Sequence, residues 1–153
     1  MEVWRLSDAR WADAVLSGEG ASRFGGRWNP PGTAAVYCAE ALSLAALELF
    51  VRLARGAAGR ELRAFRIRLP DESDRTEVGA DALPPGWRDL RTFDACRALG
   101  RAWMDEGRTL ALAVPSVLIP EERNVVLNPR HPDFARVAVA GSRPFSFDPR
   151  MWK

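Results

Sequence analysis

The sequence predicts a single α+β domain spanning residues 1–153, and three observations lead to this expectation. A chain of 153 residues has the length of one ordinary domain. Hydrophobic residues make up 47% of the chain and charged residues 27%, which is the composition of a globular protein with a buried core. The predicted strands and helices do not alternate regularly, and this favours α+β over a doubly wound parallel sheet.

The N-terminal part is predicted to hold two strands separated by a helix and a loop. Residues 2–6 predict a strand, and Ser7 is the expected cap of a helix that ends near Gly18. That helix is indicated by apolar side chains at i, i+3 and i+4, namely Trp11, Ala14 and Val15. Residues 17–32 are rich in Gly, Ser and Pro and predict an irregular loop, which can line a cleft. Residues 34–39 predict a buried strand.

The strongest helical pattern covers residues 41–54, and Gly56 is expected to end this helix. Residues 61–69 alternate apolar side chains with arginines, which predicts a strand with one solvated face. Residues 71–91 are expected to cross the surface, and a second helix is predicted over 93–106 with Gly107 at its end. Three short apolar segments bounded by proline or glycine predict further strands: 110–114, 124–127 and 136–140.

Several classes of protein and site are not expected. No run approaches the ~20 apolar residues of a membrane helix, and the N-terminus lacks the features of a signal peptide, so we expect a cytoplasmic protein without membrane contact. Cys38 and Cys96 are expected to be buried thiols. With these two thiols and His131 as the soft ligands, no metal site is expected.

The distribution of charge gives little support to nucleic-acid binding by this chain. All basic residues except Lys153 are arginine, which is typical of codon bias in a GC-rich genome. The arginines are spread from Arg5 to Arg150 among 20 acidic residues, whereas a dedicated binder more often clusters them in one strip.

Arg27 follows two glycines in the stretch Phe24-Gly25-Gly26-Arg27-Trp28-Asn29-Pro30-Pro31-Gly32. The glycines free the backbone, which suits close approach to a phosphate-bearing ligand with the arginine as a fork-shaped donor. The alternative is a tight turn with a solvent-exposed arginine. Because no packing reason for a guanidinium is evident, Arg27→Lys is expected to change stability by less than about half a kcal/mol.

Glu48 is flanked on both sides by apolar residues inside Leu44-Ala45-Ala46-Leu47-Glu48-Leu49-Phe50-Val51. It lies either on the wet edge of the helix, paired at i+4 with Arg52, or in a cleft. Farther along, Pro115 and Pro120 bracket an apolar segment with one hydroxyl, that of Ser116, which is unusual for a ladder strand. His131 lies in a turn-like stretch, and we expect it to pack there.

Together these segments resemble the RES domain, the toxin half of bacterial RES–Xre toxin–antitoxin modules. The resemblance covers nearly the whole chain and rests on the GGRWN-P-G loop at 25–32, the helix 41–51 with its glutamate, and the VPS…NxxLNPxHPxF signature at 114–134. The Arg, Glu and Ser that name the family match Arg27, Glu48 and Ser116. Tyr37 and Asn128 match the accompanying polar positions.

The resemblance implies a fold similar to ADP-ribosyltransferase toxins, with small mixed or antiparallel sheets and flanking helices. It also implies NAD+ as substrate and an Xre-type DNA-binding antitoxin as partner; a homodimer or larger complex is left open. Glu48, Arg27 and Ser116 are the implied catalytic residues. The implied NAD+ contacts are Arg27, Tyr37, Ser116 and Asn128. The chemistry of these side chains suggests that Tyr37 stacks on the nicotinamide ring and that Ser116 and Asn128 fix either the ribose or Glu48.

The implied function is a toxin that cleaves the nicotinamide–ribose bond and depletes cellular NAD+, as a glycohydrolase or phosphorylase. One carboxylate suffices for this reaction, because nicotinamide leaves as a neutral molecule and needs no general acid. The first alternative is a mono-ADP-ribosyltransferase that modifies a cellular protein. The second is a non-enzymatic nucleotide or nucleic-acid binding module.

Overall fold

The computed structural model of the chain describes residues 1–53, 59–70 and 75–152, and these form one seven-stranded sheet with three α-helices. The strands are β1 (Glu2–Asp8), β2 (Val36–Ala39), β3 (Leu62–Arg68), β4 (Arg75–Glu77), β5 (Ala111–Pro115), β6 (Arg123–Leu127) and β7 (Ala138–Phe145). The helices are α1 (Glu19–Phe24), α2 (Leu42–Phe50) and α3 (Asp94–Glu106). The predicted α+β class is confirmed, with a single mixed sheet in place of several small ones.

The strand order is β4-β5-β6-β2-β1-β3-β7, and every pairing is antiparallel except that of β4 with β5. The predicted half-solvated strand is β3, which buries Leu62, Ala64, Phe65 and Ile67. β5 is buried along its whole length, because both of its faces are covered.

α2 and α3, the two longer helices, pack on the sheet, and α3 also fixes the loop that follows α1. α2 buries Leu44 and Ala45 against β1, β2 and β3. α3 comes so close to the loop after α1 that a Cβ on Gly100 would lie 1.8 Å from the Trp28 carbonyl oxygen. Gly100 is therefore required for this contact, and the loop is pinned against α3.

The helix ends agree with the sequence patterns only in part. α3 ends as predicted at Gly107, which adopts a left-handed conformation with φ 59° and donates its N–H to the Trp103 carbonyl. α2 ends at Phe50, earlier than the predicted position 54. Residue 54 and the predicted stop at Gly56 lie outside the described residues.

Two N-terminal predictions are wrong. The helix expected after Ser7 is a 3₁₀ helix over Ala9–Ala14, because β1 continues to Asp8 through its pairing with β3. Asp8 caps it by accepting the N–H of Arg10 at 3.1 Å. The segment expected to be an irregular loop contains α1, which starts after Gly18, a glycine with φ 67°.

The remaining differences lie at the edges of the sheet. Residues 75–77 form β4 instead of a plain surface crossing, whereas residues 71–74 of that predicted crossing lie outside the described residues. β7 extends to Phe145 because it pairs with β3 along its length. The predicted buried state of Cys38 and Cys96 is confirmed. Within the described residues, no helix is long and apolar enough to cross a membrane.

Candidate functional site

A cleft of about 620 Å³ opens between α1, the Gly25–Trp28 loop, α2 and the end of β5. This volume is in the usual range for a small-molecule site. A smaller cavity of about 210 Å³ adjoins the cleft. Both are lined by five shared residues: Arg5, Tyr37, Glu48, Arg52 and Asn124.

Glu48 lies in the wall between the two cavities, and hydrogen bonds to neighbouring side chains hold its carboxylate in place. Its Oε1 atom accepts the Ser116 hydroxyl at 2.9 Å and the Asn124 amide at 2.6 Å. Its Oε2 atom lies 4.0 Å from the Arg52 guanidinium, and the side chain is 20% exposed. Glu48 therefore forms the predicted i+4 pair with Arg52 and also lies in a cleft, so the two alternatives occur together.

Ser116 is fully buried behind Glu48 and is absent from the lining of either cavity. Its Oγ accepts the backbone N–H groups of Leu118 at 3.0 Å and Ile119 at 3.3 Å while it donates to Glu48. Two N–H donors polarise the hydroxyl, which strengthens its bond to the carboxylate. Ser116 thus orients Glu48 and does not reach the open space.

Arg27 lies in the wall of the cleft and is anchored to the neighbouring segment. Its Nη1 atom donates to the carbonyl oxygens of Trp87 at 2.6 Å and Asp89 at 2.8 Å. Its guanidinium stacks 4.5 Å from the centroid of the Phe93 ring. The expectation that the loop offers a guanidinium no packing partner is wrong, since Arg27 packs against residues 87–93.

Tyr37 fixes the glycine loop from the adjacent strand. Its hydroxyl donates to Asn29 Oδ1 at 2.7 Å and accepts the Trp28 N–H at 3.0 Å. Burial raises the pKa of Tyr37 to about 12. A Cβ on Gly26 would lie 2.4 Å from this hydroxyl, so only glycine allows the approach. The phenol is thus committed to the loop.

Arg5 is a cavity residue that the sequence patterns did not reveal. From β1, its Nη1 atom donates to the Tyr37 carbonyl at 2.7 Å. Its Nε atom is buried and has no hydrogen-bond partner among the described residues. Burial lowers the pKa of this guanidinium. The one available sequence signal is an arginine between two apolar residues of the predicted strand, Trp4 and Leu6.

Asn124 is the second residue missed as a site candidate, although it belongs to the signature noted above. It is the second residue of β6 and lies beside the end of β5, in the register Val114↔Asn124, and this pairing brings its amide to Glu48. The contact joins residues 76 positions apart. Only the strand register reveals it.

The structure does not bring Asn128 to the cleft. It follows the opposite end of β6, about 13 Å from Asn124 at ~3.3 Å per strand residue. Its amide donates to the Met104 carbonyl at 3.2 Å and accepts the Arg130 N–H at 3.0 Å. His131 caps the next 3₁₀ helix, with Nδ1 accepting the Asp133 N–H at 3.2 Å. Both residues belong to this turn.

The charge of the cleft is positive. Its lining includes the guanidinium groups of Arg5, Arg27 and Arg52, and Glu48 is its one carboxylate within the described residues. Such a wall attracts an anionic ligand, and a diphosphate matches the guanidinium geometry. No group of three potential metal ligands occurs in the described part of the chain.

The fold and the site together define an α+β domain with one oriented carboxylate in an arginine-lined cleft. The RES domain family model matches residues 2–148, and the chain belongs to this family. It is 40% identical over 152 residues to the "Prs ADP-ribosylating toxin" of Sphingobium sp. strain YBL2, covering 97% of this chain and 94% of that protein. It is 35% identical to "Toxin Res" of Yersinia enterocolitica, covering 99% of each chain.

A solved structure shares the fold. A chain of the Mycobacterium tuberculosis MbcT–MbcA toxin–antitoxin complex superposes with a TM-score of 0.78 at 23% identity. The match covers 99% of this chain and 86% of that chain. This likeness shows the fold, and the predicted membership of the RES family is confirmed by the family model and the relatives.

Proposed function

We propose that this chain is the toxin of a toxin–antitoxin module and that it cleaves the nicotinamide–ribose bond of NAD+. The observation that carries the proposal is the Glu48 carboxylate, fixed by Ser116 and Asn124 in a cleft whose other charged walls are arginines. The curated relatives named as toxins add support.

Glu48 supplies the negative charge that the reaction needs. As the bond from ribose C1′ to nicotinamide breaks, its electron pair passes to the ring nitrogen and positive charge develops on the ribose. A preoriented carboxylate stabilises this charge without reorganisation. An acceptor oxygen then bonds to C1′ and its proton passes to Glu48, the one carboxylate lining the described part of the cleft.

The other residues divide into those that face NAD+ and those that hold the site together. The Nη1 atom of Arg27 donates to two carbonyl oxygens, and the diphosphate binds the other N–H groups of the guanidinium. The ring of Tyr37 lines the cleft and stacks on the nicotinamide, while its hydroxyl stays with the loop. Ser116 and Asn124 orient Glu48. Asn128 maintains the turn after β6 and makes no NAD+ contact in this assignment.

A second candidate function is mono-ADP-ribosylation of a cellular protein. The name of the Sphingobium relative, an ADP-ribosylating toxin, favours it. Both activities use the same residues and differ only in the acceptor, which is water or phosphate in the first and a protein side chain in the second.

The expected partner is an antitoxin of the Xre type that covers the cleft. The support is that the chain sharing this fold comes from a toxin–antitoxin complex. Expression of this chain alone should therefore arrest bacterial growth and lower cellular NAD+, and co-expression of its antitoxin should reverse both effects.

Incubation of purified protein with NAD+ labelled in the adenylate tests the proposal. Release of nicotinamide with label in free ADP-ribose, or in its phosphate ester, supports NAD+ degradation. Label on protein in a lysate supports the transferase. Binding of NAD+ without nicotinamide release would leave only a binding module and refute the proposed enzyme.

A further inference from the structure

We propose that the cleft-facing side of α1, formed by Gly20, Ala21 and Phe24, together with Leu90, binds the adenine ring of NAD+. This inference rests on the proposed function and adds the direction in which the dinucleotide lies. The three α1 positions are spaced i, i+1 and i+4, so they share one face of the helix, and all four residues line the cleft.

The mouth of the cleft carries the most exposed large apolar side chains in the described part of the molecule. Phe24 is 74% exposed and Leu90 75% exposed. Val51 and Leu118 line the same cleft and are also exposed. A contiguous group of exposed apolar side chains marks a binding surface. These side chains line the wall of a cleft, so a ligand inside it is the occupant they fit.

Gly20 is exposed and lines the cleft with Phe24, and the fold does not explain why this position is a glycine. A Cβ built on Gly20 meets nothing within 4 Å, and its φ is not positive. Glycine weakens a helix, and neither backbone conformation nor packing requires it here. Gly26 differs, since a Cβ there would collide with the Tyr37 hydroxyl. A glycine at this cleft-lining position leaves the cleft open beside Ala21 and Phe24, and this open space accommodates a flat heteroaromatic ring.

The position of Glu48 fixes which base occupies this space. Its carboxylate must face C1′ of the nicotinamide ribose, and it lies deeper in the cleft, at 20% exposure. Arg27 follows Phe24 by three residues, and its guanidinium can hold the diphosphate. Nicotinamide therefore lies inside and adenine at the mouth. Stacking of a base on an aromatic ring stabilises binding and tolerates any base, which fits an exposed phenylalanine.

Steady-state nicotinamide release from two substrates tests the subsite. NAD+ carries the adenylate, and nicotinamide mononucleotide lacks it. Phe24→Ala should raise KM for NAD+ about tenfold, leave kcat within about twofold and leave KM for the mononucleotide unchanged. Phe24→Trp keeps an aromatic ring at this position, so its KM for NAD+ should equal that of wild type. Trp11→Ala removes another exposed aromatic side chain, one that does not line the cleft, and should change neither constant.

Gly20→Leu provides an independent variant with the opposite expectation for stability. Leucine favours the helix, so the thermal midpoint should not fall, yet the side chain fills the space and KM for NAD+ should rise. The mononucleotide should again be unaffected. A raised KM without loss of stability separates a filled subsite from a damaged fold.

Two results would overturn the subsite: wild-type KM for NAD+ in Phe24→Ala, or an equal rise in KM for both substrates. If KM is unchanged and antitoxin binding is lost, the face is assigned to a protein. A wild-type protein that releases nicotinamide from neither substrate refutes the proposed function itself, and the subsite with it. The two failures are therefore distinguishable.

Discussion

Replacement of Glu48 by glutamine isolates the charge of the carboxylate from its size and its hydrogen bonds. The glutamine oxygen can still accept the Ser116 hydroxyl and the Asn124 amide, which now bond Oε1 at 2.9 and 2.6 Å. The helix should therefore keep its position. The variant loses the negative charge that, in the proposed mechanism, faces the developing ribosyl cation.

The expected loss of rate follows from that charge. Removing one preorganised electrostatic group typically costs about 100- to 1,000-fold in kcat. Stability should change by less than about 0.5 kcal/mol, since the one ion pair lost among the described residues is the 4.0 Å contact with Arg52, whose side chain is 65% exposed. Dissociation of NAD+ should change little, because the effect is on the transition state.

The assay compares single-turnover nicotinamide release, NAD+ affinity and thermal midpoint for wild type and Glu48→Gln. Glu19→Gln is the matched control, since Glu19 forms an i+4 pair with Arg23 at 3.1 Å on an exposed helix face. It should remain fully active. If Glu48→Gln keeps more than about a tenth of the wild-type rate, the carboxylate has no central role and the mechanism is wrong.

Three further predictions concern the surroundings of the carboxylate. Arg27→Lys should impair NAD+ turnover, measured as kcat/KM, and should also lower stability by about 1–2 kcal/mol in denaturant melts. The reason is that one ammonium cannot reproduce the hydrogen bonds to Trp87 and Asp89 and the contact with Phe93. The control Arg23→Lys should match wild type. Ser116→Ala should lower kcat more than it raises KM, since it frees Glu48 without touching NAD+, and an effect on KM alone would contradict this. Stability should fall as pH rises from about 9 to about 12. Burial raises the pKa of Cys38 from 9.0 to about 12 and that of Tyr37 from 10.0 to about 12, so the unfolded chain releases these protons at lower pH than the folded chain. Cys38→Ala should flatten the lower part of this decline.

The elements that the sequence predicts well are those with a local signal. The alternation in β3 and the Gly107 stop of α3 depend on neighbouring residues, and both agree with the structure. β4 has no apolar pattern in its three residues and becomes a strand only through its pairing with β5. α1 is hidden in a glycine-rich stretch, because glycine content outweighs its short helical pattern.

The same division applies to the site. Arg27 and Glu48 stand out locally, the one after two glycines and the other inside an apolar run. Arg5 and Asn124 do not, because their place in the cleft depends on which strands pair and in which register. Spacing along the chain does not encode that register.

The polar signature positions perform two different physical tasks. Arg27, Tyr37 and Glu48 line the cleft, whereas Ser116 and Asn128 are buried with their polar atoms bonded to protein. A carboxylate on a nine-residue helix would rotate freely if it met only solvent. The hydroxyl of Ser116 prevents this because it is itself fixed by two backbone N–H groups just beyond β5. The buried serine thus transfers the rigidity of the sheet to the carboxylate of Glu48. In the proposed mechanism, a side chain that does not touch NAD+ is therefore as specific a requirement as one that does.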